Sequence, residues 1–272
     1  MAYHAFEVTI EKHIAEVKLH RGESLNTMNA AFWTECREIF AGLNDNPDVR
    51  VAIIHATGRH FTAGIDLAFL ASLTPDPKAD PARTQERMRR RILELQASFS
   101  AIANCRIPVL AAVQGGCIGA GVDLVSACDM RYATADAWFC IQEINIGMAA
   151  DVGTLQRMPL QLPQGLMREL AFTGRKLGAV EAKEAGFINS VSDSHEALLA
   201  HVRNIAAQIA EKSPLAMTGT KQALNQGNRR QIEEGLDYIA TWNAGQLSFA
   251  DVQRGGKAAI AKTKADFDDL LD

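Results

Sequence analysis

Residues Pro108–Asp151 read PVLAAVQGGCIGAGVDLVSACDMRYATADAWFCIQEINIGMAAD, and this segment decides the fold. Its first part, Val109–Val113, has the length and composition of a buried strand. A loop rich in glycine, Gly115–Gly121, follows, and the pattern beyond it, Val122–Cys128, is helical. A strand that leads through small residues into a helix exposes backbone N–H groups and the positive end of the helix dipole. The segment therefore predicts an α/β core with a site at this loop.

Three carboxylates accompany the glycine-rich loop. Asp123 lies in the first turn of the predicted helix, Glu143 follows the strand pattern Trp138–Ile141, and Asp151 comes a few residues later. Taken singly, Asp123 complements a helix dipole and Asp151 is a suitable helix N-cap. Glu143 has the weakest structural explanation of the three. Gathered at one place, the three acids would be able to move protons at the loop.

Outside this segment, strand and helix patterns alternate to about residue 195. The chief predicted elements are a hairpin over 6–20, a helix over 30–43 with Asn29 as its N-cap, a strand over 51–54 and an amphipathic helix over 83–103. After residue 152 the pattern is mostly helical, with one further strand predicted over 187–191. We therefore expect a core that carries the active site over 1–195 and a helical region over 196–272.

The composition is ordinary for a globular protein, with 47% hydrophobic and 22% charged residues. A net charge of -4 argues against nucleic acid and against an anionic membrane as partners. Five cysteines without a C-x-x-C pair favour reduced, buried thiols over disulfides or a zinc site. We expect no metal. Because no secretory signal pattern is visible, we predict a cytoplasmic protein.

Basic residues receive surface interpretations. The run Arg87–Arg91 is interrupted by Met88 and flanked by acids, which is typical of a solvated helix face. Five lysines in the C-terminal part are also expected at the surface, and they are Lys212, Lys221, Lys257, Lys262 and Lys264.

Two loops that follow predicted strands, near Ala63 and near Ala120, could each direct one backbone N–H at a common point. Such a pair would form an oxyanion hole, and small residues would let a substrate carbonyl approach the backbone. The alternative is that both are tight strand-to-helix turns. The glycine order of the second loop, G-x-x-G-x-G, differs from the dinucleotide fingerprint, and Asp123 would repel a pyrophosphate there. Cys117, in the same loop, is interpreted as a packing residue.

This combination of motifs resembles the crotonase (enoyl-CoA hydratase/isomerase) family over nearly the whole chain. The resemblance rests on four stretches, Arg21–Met28, Phe61–Leu67, Gly115–Asp129 and Glu143–Pro159. It implies a spiral of strand-strand-helix units with C-terminal helices that assemble into a homo-oligomer, a trimer or a dimer of trimers. It also implies an acyl-CoA thioester as ligand, with coenzyme A as part of the substrate and no separate cofactor.

Matched residue by residue, the resemblance places the oxyanion-hole donors on Ala63 and Ala120. It implies that the substrate-binding residues are Gly64, Ile65, Asp66, Leu67 and Gly119. Hydratases of the family carry two glutamates at the positions of Asp123 and Glu143 and a glycine at that of Asp151. The acids Asp123, Glu143 and Asp151 are instead similar to the set in Δ3,5-Δ2,4-dienoyl-CoA isomerases.

The resemblance therefore predicts an isomerase of fatty acid β-oxidation that converts a 3,5-dienoyl-CoA to a 2,4-dienoyl-CoA. Glu143 and Asp151 would be the proton-transfer pair, in an order that stays open, and Asp123 would support them. One alternative is an enoyl-CoA hydratase in which Asp123 and Glu143 activate water. Another is a non-catalytic CoA-binding or assembly module on the same fold.

Overall fold

Strands and helices alternate along most of the chain. A computed structural model describes residues 3–76 and 78–270. The strands in this part are β1 Phe6–Glu11, β2 Ile14–Leu19, β3 Val51–Ala56, β4 Val109–Val113, β5 Gly116–Ile118, β6 Met130–Thr134, β7 Trp138–Cys140, β8 Leu177–Gly178 and β9 Ser190–Ser192.

The helices are α1 Ala30–Asp45, α2 Leu67–Ser72, α3 Pro81–Asn104, α4 Ala120–Ser126, α5 Thr154–Arg157, α6 Gln164–Thr173, α7 Ala179–Glu184, α8 His195–Ala210, α9 Pro214–Gln226, α10 Arg229–Gln246 and α11 Phe249–Ala261. Short 3-10 helices cover Gly22–Ser24, Glu143–Ile146 and Met158–Leu160.

A six-stranded sheet in the order β1-β2-β3-β4-β6-β9 forms the centre of the molecule. The first two strands are antiparallel and the others pair in parallel. Every residue of β3 and β4 is buried, as is typical of parallel strands that are covered on both faces. Helices α1 and α3 cover one face of the sheet, and α8 covers the other.

A smaller sheet, in the order β5-β7-β8, lies after the carboxyl ends of the central strands. In two successive units, β4-β5-α4 and β6-β7-α5, the first strand joins the large sheet and the second joins the small one. This repetition confirms the predicted α/β spiral of strand-strand-helix units. It also places the loops after β3, β5 and β7 at one edge, where open parallel sheets commonly bind ligands.

Some predicted boundaries need correction. The strand expected over 187–191 is β9, because Phe187 and Ile188 turn into the apolar core before it begins. The helix expected from Val122 starts at Ala120, inside the glycine-rich loop. The predicted cap is confirmed, since Asn29 Oδ1 accepts a hydrogen bond from the Phe32 N–H at 3.0 Å. The division at residue 195 stays a prediction.

The surface interpretation is wrong for Lys221. Its side chain is 6% exposed, and its Nζ lies 2.7 Å from Asp129 Oδ2 and 2.9 Å from the Ile107 carbonyl oxygen. Asp129 Oδ2 also accepts a hydrogen bond from the Val109 N–H, at the first residue of β4. Lys221 therefore joins helix α9 to the central sheet.

We predict that Lys221→Ala lowers the free energy of unfolding by about 3 kcal/mol. This value is at the lower end of the range for a broken buried pair, because Asp129 is partly exposed. Urea unfolding followed by circular dichroism measures the change. Lys212→Ala, at an exposed lysine two residues beyond α8, is the control and should stay within about 0.5 kcal/mol of wild type. Equal stability of the two variants would contradict the assignment.

Candidate active site

The loop after β3 pairs directly with β5. The Thr62 N–H donates to the Gly116 carbonyl at 3.2 Å, and the Ile118 N–H donates to the Thr62 carbonyl at 3.1 Å. Gly64 has a φ of +85°, and a Cβ there would lie 2.6 Å from the Ile118 carbonyl oxygen. This contact requires glycine, because a side chain would push the two segments apart.

The expected oxyanion-hole donor at Ala63 is wrong. The Ala63 N–H donates to the Leu25 carbonyl at 2.9 Å, so it is already satisfied within the chain. The N–H of Ile65 has no acceptor in residues 3–76 or 78–270, and Ile65 lines the main cavity. We therefore assign the first free N–H to Ile65, which the sequence analysis had placed among the substrate-binding residues.

The second expected donor, Ala120, fits the geometry. Ala120 is the first residue of α4, where a backbone N–H has no partner within its own helix, and it lines the same cavity. The position that a Cβ of Gly64 would take lies 3.6 Å from the Ala120 nitrogen. The loop that carries Ile65 therefore lies against the start of α4, and both free N–H groups belong to one cavity wall.

The three predicted acids are all buried, with 9% of Glu143, 8% of Asp151 and none of Asp123 exposed. Glu143 and Asp151 line the cavity. Glu143 begins a 3-10 helix directly after the short strand β7, and its Oε2 has no partner among the described residues. A Cβ at Gly119 would lie 3.2 Å from Glu143 Oε1, so a small residue is needed beside this carboxyl group.

Asp123 lies behind the cavity wall instead of in it. Its Oδ1 accepts a hydrogen bond from the Thr154 N–H at 2.5 Å, at the start of helix α5. Asp123, and not Asp151, therefore accepts the hydrogen bond from the first N–H of helix α5. The two residues of this contact, Asp123 and Thr154, are 31 positions apart in the sequence. The role expected for Asp123 is to support Glu143 and Asp151, and this role stays a prediction.

The pKa values of all three acids are raised. Burial raises the pKa of Asp151 to about 7, and the nearby Asp123 adds to this, while a hydrogen bond from Asn243 acts in the opposite direction. Burial also raises the pKa of Glu143 well above its ordinary value, with contributions from Asp123 and Asp151. Burial raises the pKa of Asp123 to about 6, against the opposing effects of Thr154 and Arg157. Burial therefore favours the protonated form of each acid relative to an exposed carboxyl group.

The cavity has a volume of about 710 Å³ and a mostly apolar wall. Of the five expected substrate-binding residues, Gly64, Ile65, Leu67 and Gly119 line it. Asp66 does not; its Oδ1 accepts hydrogen bonds from the Ala68 and Phe69 N–H groups and caps α2. Apolar side chains of α2, α3 and α11 complete the wall, among them Leu70, Met88, Ile92, Leu95, Phe249 and Ile260.

The sequence analysis missed Asn243 of helix α10. Its Nδ2 lies 2.7 Å from Asp151 Oδ2 and 3.0 Å from the Ala149 carbonyl oxygen. A signal for it exists in the sequence. Asn243 continues the buried stripe of Leu236 and Ile239 at helical spacing, so it is a polar residue on an apolar face.

The burial of the cysteines bears on the interpretation of Cys117. The five cysteines are free and buried, and burial raises the pKa of Cys117 well above its ordinary value. The packing interpretation of Cys117 is therefore confirmed. Across residues 3–76 and 78–270, no group of three or more histidine, cysteine, aspartate or glutamate side chains is arranged to hold a metal ion. No helix of that part is long and apolar enough to cross a membrane.

The sequence matches a known protein family and several named relatives. Residues 9–270 match the family model described as enoyl-CoA hydratase/isomerase. A mouse protein named mitochondrial Delta(3,5)-Delta(2,4)-dienoyl-CoA isomerase is 43% identical over 263 residues, which cover 96% of this chain and 80% of the mouse protein. An Arabidopsis thaliana protein of the same name, peroxisomal, is 41% identical over 251 residues and covers 92% and 90% of the two chains.

A solved structure from the same family resembles this chain over most of its length. The crystal structure of an enoyl-CoA hydratase/isomerase from Mycobacterium paratuberculosis has a TM-score of 0.83 and 29% identity, and covers 93% of this chain and 97% of that one. The chain belongs to the enoyl-CoA hydratase/isomerase family. Its relatives at 41% and 43% identity are both named dienoyl-CoA isomerases.

The raised pKa of Asp151 predicts how stability depends on pH. An unfolded aspartate has a pKa of about 3.9. Because the folded value is about 7, the folded state binds more protons between these values, and the free energy of unfolding falls as pH rises through this window. Asp151→Asn removes this contribution, so the variant should be more stable than wild type at pH 8 by roughly 2–4 kcal/mol.

Urea unfolding at pH 5 and at pH 8 measures this difference. The amide introduced by Asp151→Asn would still accept the hydrogen bond of Asn243 through its oxygen, so packing is kept. Asp193→Asn, at an exposed aspartate, is the matched control and should follow wild type at both pH values. An Asp151→Asn variant that also follows wild type would show that Asp151 ionises normally in the folded state.

Proposed function

We propose that the chain converts a 3,5-dienoyl-CoA into a 2,4-dienoyl-CoA. The observation that carries this proposal is the pair of buried carboxyl groups, Glu143 and Asp151, in one apolar cavity beside two free backbone N–H groups. The names of the relatives at 41% and 43% identity support the same reaction. The family establishes an enzyme, and the three buried acids argue against the alternative of a non-catalytic binding module.

The reaction needs two proton transfers along one acyl chain. A carboxylate removes a proton from C2, and the electron pair of that C–H bond forms a C1=C2 double bond while the carbonyl electrons move onto the thioester carbonyl oxygen, which gives a dienolate. The carbonyl then re-forms, and the electrons move along the chain through the two double bonds towards C6. A carboxylic acid then delivers a proton at C6, which leaves the double bonds at C2 and C4. Glu143 and Asp151 are the groups that line the cavity and are able to exchange these protons.

The Ile65 and Ala120 N–H groups would stabilise the dienolate oxygen. Both belong to the cavity wall, and neither has an acceptor in the described part of the chain. Hydrogen-bond donors that the fold holds in place stabilise the negative charge on the oxygen as it develops. Their effect is strongest where water is excluded. The proposal therefore differs from the sequence-based assignment at one donor, Ile65 in place of Ala63.

The protonation states of the acids suit this chemistry. Reversible transfer needs one carboxyl group protonated and one ionised at the start. Ordinary aspartate and glutamate are both ionised at pH 7, whereas burial raises the pKa of Glu143 and of Asp151 and so favours their protonated forms. Asp123 supports the pair from behind by its charge and by its contact with Thr154.

The acyl chain would occupy the apolar part of the cavity between α2, α3 and α11. Coenzyme A enters as part of this substrate, and the proposed proton transfers require no other cofactor. The hydratase alternative needs Asp123 and Glu143 to hold a water molecule between them. Because Asp123 does not line the cavity and is fully buried, that alternative is less favoured.

A homo-oligomer, a trimer or a dimer of trimers, remains part of the proposal. Large apolar side chains are exposed on the C-terminal helices, with Leu215 88%, Leu224 73%, Tyr238 65% and Trp242 50% exposed. Tyr238 and Trp242 stack on one face of α10 with their ring centroids 6.5 Å apart, and exposed aromatic side chains are enriched in protein interfaces. The cytoplasmic location and the role in β-oxidation stay predictions, since the named relatives are mitochondrial and peroxisomal.

We expect Asp151→Asn to lower isomerase turnover by about a hundredfold or more, because an amide can neither accept nor deliver the proton. An ultraviolet assay with a 3,5-dienoyl-CoA measures this change as the rise in absorbance when the diene becomes conjugated with the thioester. Asp193→Asn is the control and should keep wild-type turnover. Near wild-type turnover of Asp151→Asn would contradict the role of Asp151.

The same assay with a 2-enoyl-CoA separates the two reactions. If the protein is an isomerase, we expect wild-type protein to leave the absorbance of the 2-enoyl-CoA unchanged. A fall in this second assay, without a rise in the first, would identify a hydratase instead.

Light scattering tests the proposed assembly. The chain has a mass of 29.5 kDa, so purified protein should scatter as about three or six copies of that mass. Tyr238→Asp should shift the mass towards a single chain, because it places a charge in the exposed pair of Tyr238 and Trp242. A monomeric wild-type protein would contradict the homo-oligomer.

A further inference from the structure

Helix α10 reaches the proton-transfer pair through one side chain, Asn243. The side chain of Asn243 is buried, and its Nδ2 lies 2.7 Å from Asp151 Oδ2. The same nitrogen lies 3.0 Å from the Ala149 carbonyl oxygen. The contact joins residues that are 92 positions apart in the sequence.

The orientation of the Asn243 amide is fixed by its partners. A backbone carbonyl oxygen only accepts hydrogen bonds, so the NH2 group of the amide must face Ala149. The same NH2 group therefore faces Asp151 Oδ2. Rotating the amide by 180° would place two acceptors against each other and lose both contacts. Asn243 is thus a permanent donor to the carboxyl group of Asp151, whether that group is ionised or not.

A second contact holds the backbone of Asp151 against the same helix. Gln96 of α3 donates from its Nε2 to the Asp151 carbonyl at 2.7 Å and to the Leu236 carbonyl of α10 at 2.9 Å. The backbone and one carboxyl oxygen of Asp151 are therefore both restrained. The other oxygen, Oδ1, has no hydrogen-bond partner in the described residues and is the one left for substrate.

The electrostatic surroundings of Asp151 make this donor important. Asp123 and Glu143 both lie close enough to interact with it unfavourably when ionised. The elements around the cluster and its cavity carry the charged side chains Asp123, Glu143, Arg91, Arg157 and Lys176. Arg157 acts on Asp123, and in residues 3–76 and 78–270 no cation pairs with Asp151. Among the described residues, the neutral amide of Asn243 is the group that donates a hydrogen bond to the Asp151 carboxyl group.

We propose that Asn243 is a positioning residue that fixes the rotamer of Asp151 and favours its ionised form. It thereby sets the pH at which Asp151 exchanges its proton with substrate. This inference rests on the proposed isomerase function for its kinetic consequence. The contact itself is independent of the reaction and is measurable on the protein alone.

The test compares Asn243→Ala and Asn243→Asp with wild type. Alanine removes the donor, and aspartate keeps the shape of the side chain but replaces the donor with a second carboxyl group. Asn225→Ala is the matched control, because Asn225 also joins a C-terminal helix to α3, through the Ala103 carbonyl at 3.1 Å, away from the cavity. Thermal unfolding of each variant checks that it folds.

Two measurements are made on each protein. The first is the pH dependence of kcat/KM for a 3,5-dienoyl-CoA. The second is the carboxyl chemical shift of Asp151 as a function of pH, from NMR of protein labelled with 13C at aspartate carboxyl groups and assigned with Asp151→Asn. The loss of one hydrogen bond to the ionised form should move the pKa of Asp151 upward by about one pH unit in Asn243→Ala.

Asn243→Asp should raise the pKa of Asp151 further, because two carboxyl groups in contact cannot both ionise easily. The limb of the kcat/KM profile that reports Asp151 should move in the same direction by the same amount, whichever role Asp151 has. Asn225→Ala should leave both the titration and the profile unchanged. This agreement between titration and profile distinguishes a positioning role from a loss of fold.

Folded Asn243 variants with an unchanged Asp151 titration would overturn the inference, even if their turnover is reduced. If Asn243→Ala does not fold, the isosteric Asn243→Asp decides the question. A wild-type protein that does not convert the dienoyl-CoA would remove the proposed function, and the NMR titration would still test the contact between Asn243 and Asp151.

Discussion

The site depends on one backbone contact, the pairing of Thr62 with Gly116 and Ile118. It joins the loop after β3 to strand β5, and so places the N–H of Ile65 and the start of α4 in one wall. The contact is possible because Gly64 has no Cβ, which would otherwise lie 2.6 Å from a carbonyl oxygen. Two free peptide N–H groups, one from the loop after β3 and one from the first residue of α4, therefore line a single cavity. Their positions are set by sheet pairing, which costs no reorganisation during a reaction.

The burial of the three acids works against stability. Each raised pKa means that ionising the group costs more in the folded state than in water. The apolar core between the central sheet and helices α1, α3 and α8 offsets this cost. Exposed carboxylates would lower the free energy of unfolding less, but both would be ionised at neutral pH and neither could act as an acid. The same desolvation that opposes folding thus raises the pKa values of Glu143 and Asp151.

Local pattern was enough to predict most of this structure. The period of the apolar residues predicted the α/β order and the long helices, glycine punctuation located the loop that carries Ala120, and the strand pattern before Glu143 located that residue. The errors concern partners that are distant in sequence. Whether the N–H of Ala63 or of Ile65 is free depends on Leu25, and whether Lys221 is solvated depends on Asp129. The spacing of residues along the chain does not show which polar groups already have a hydrogen-bond partner, because tertiary contacts decide this.

The C-terminal helices complete the site as well as covering it. Gly255 of α11 lies so close to the 3-10 helix of Glu143 that a Cβ would be 2.5 Å from Ile146 Cα, and α10 holds Asp151 through Asn243. The segment that bears both acids is therefore held between the sheet and two helices that are synthesised last. Asp123, by contrast, is fixed by Thr154 within the core. The separation between Glu143 and Asp151 is consequently a property of the whole chain, although the loops that carry the free N–H groups of Ile65 and Ala120 form within its first half.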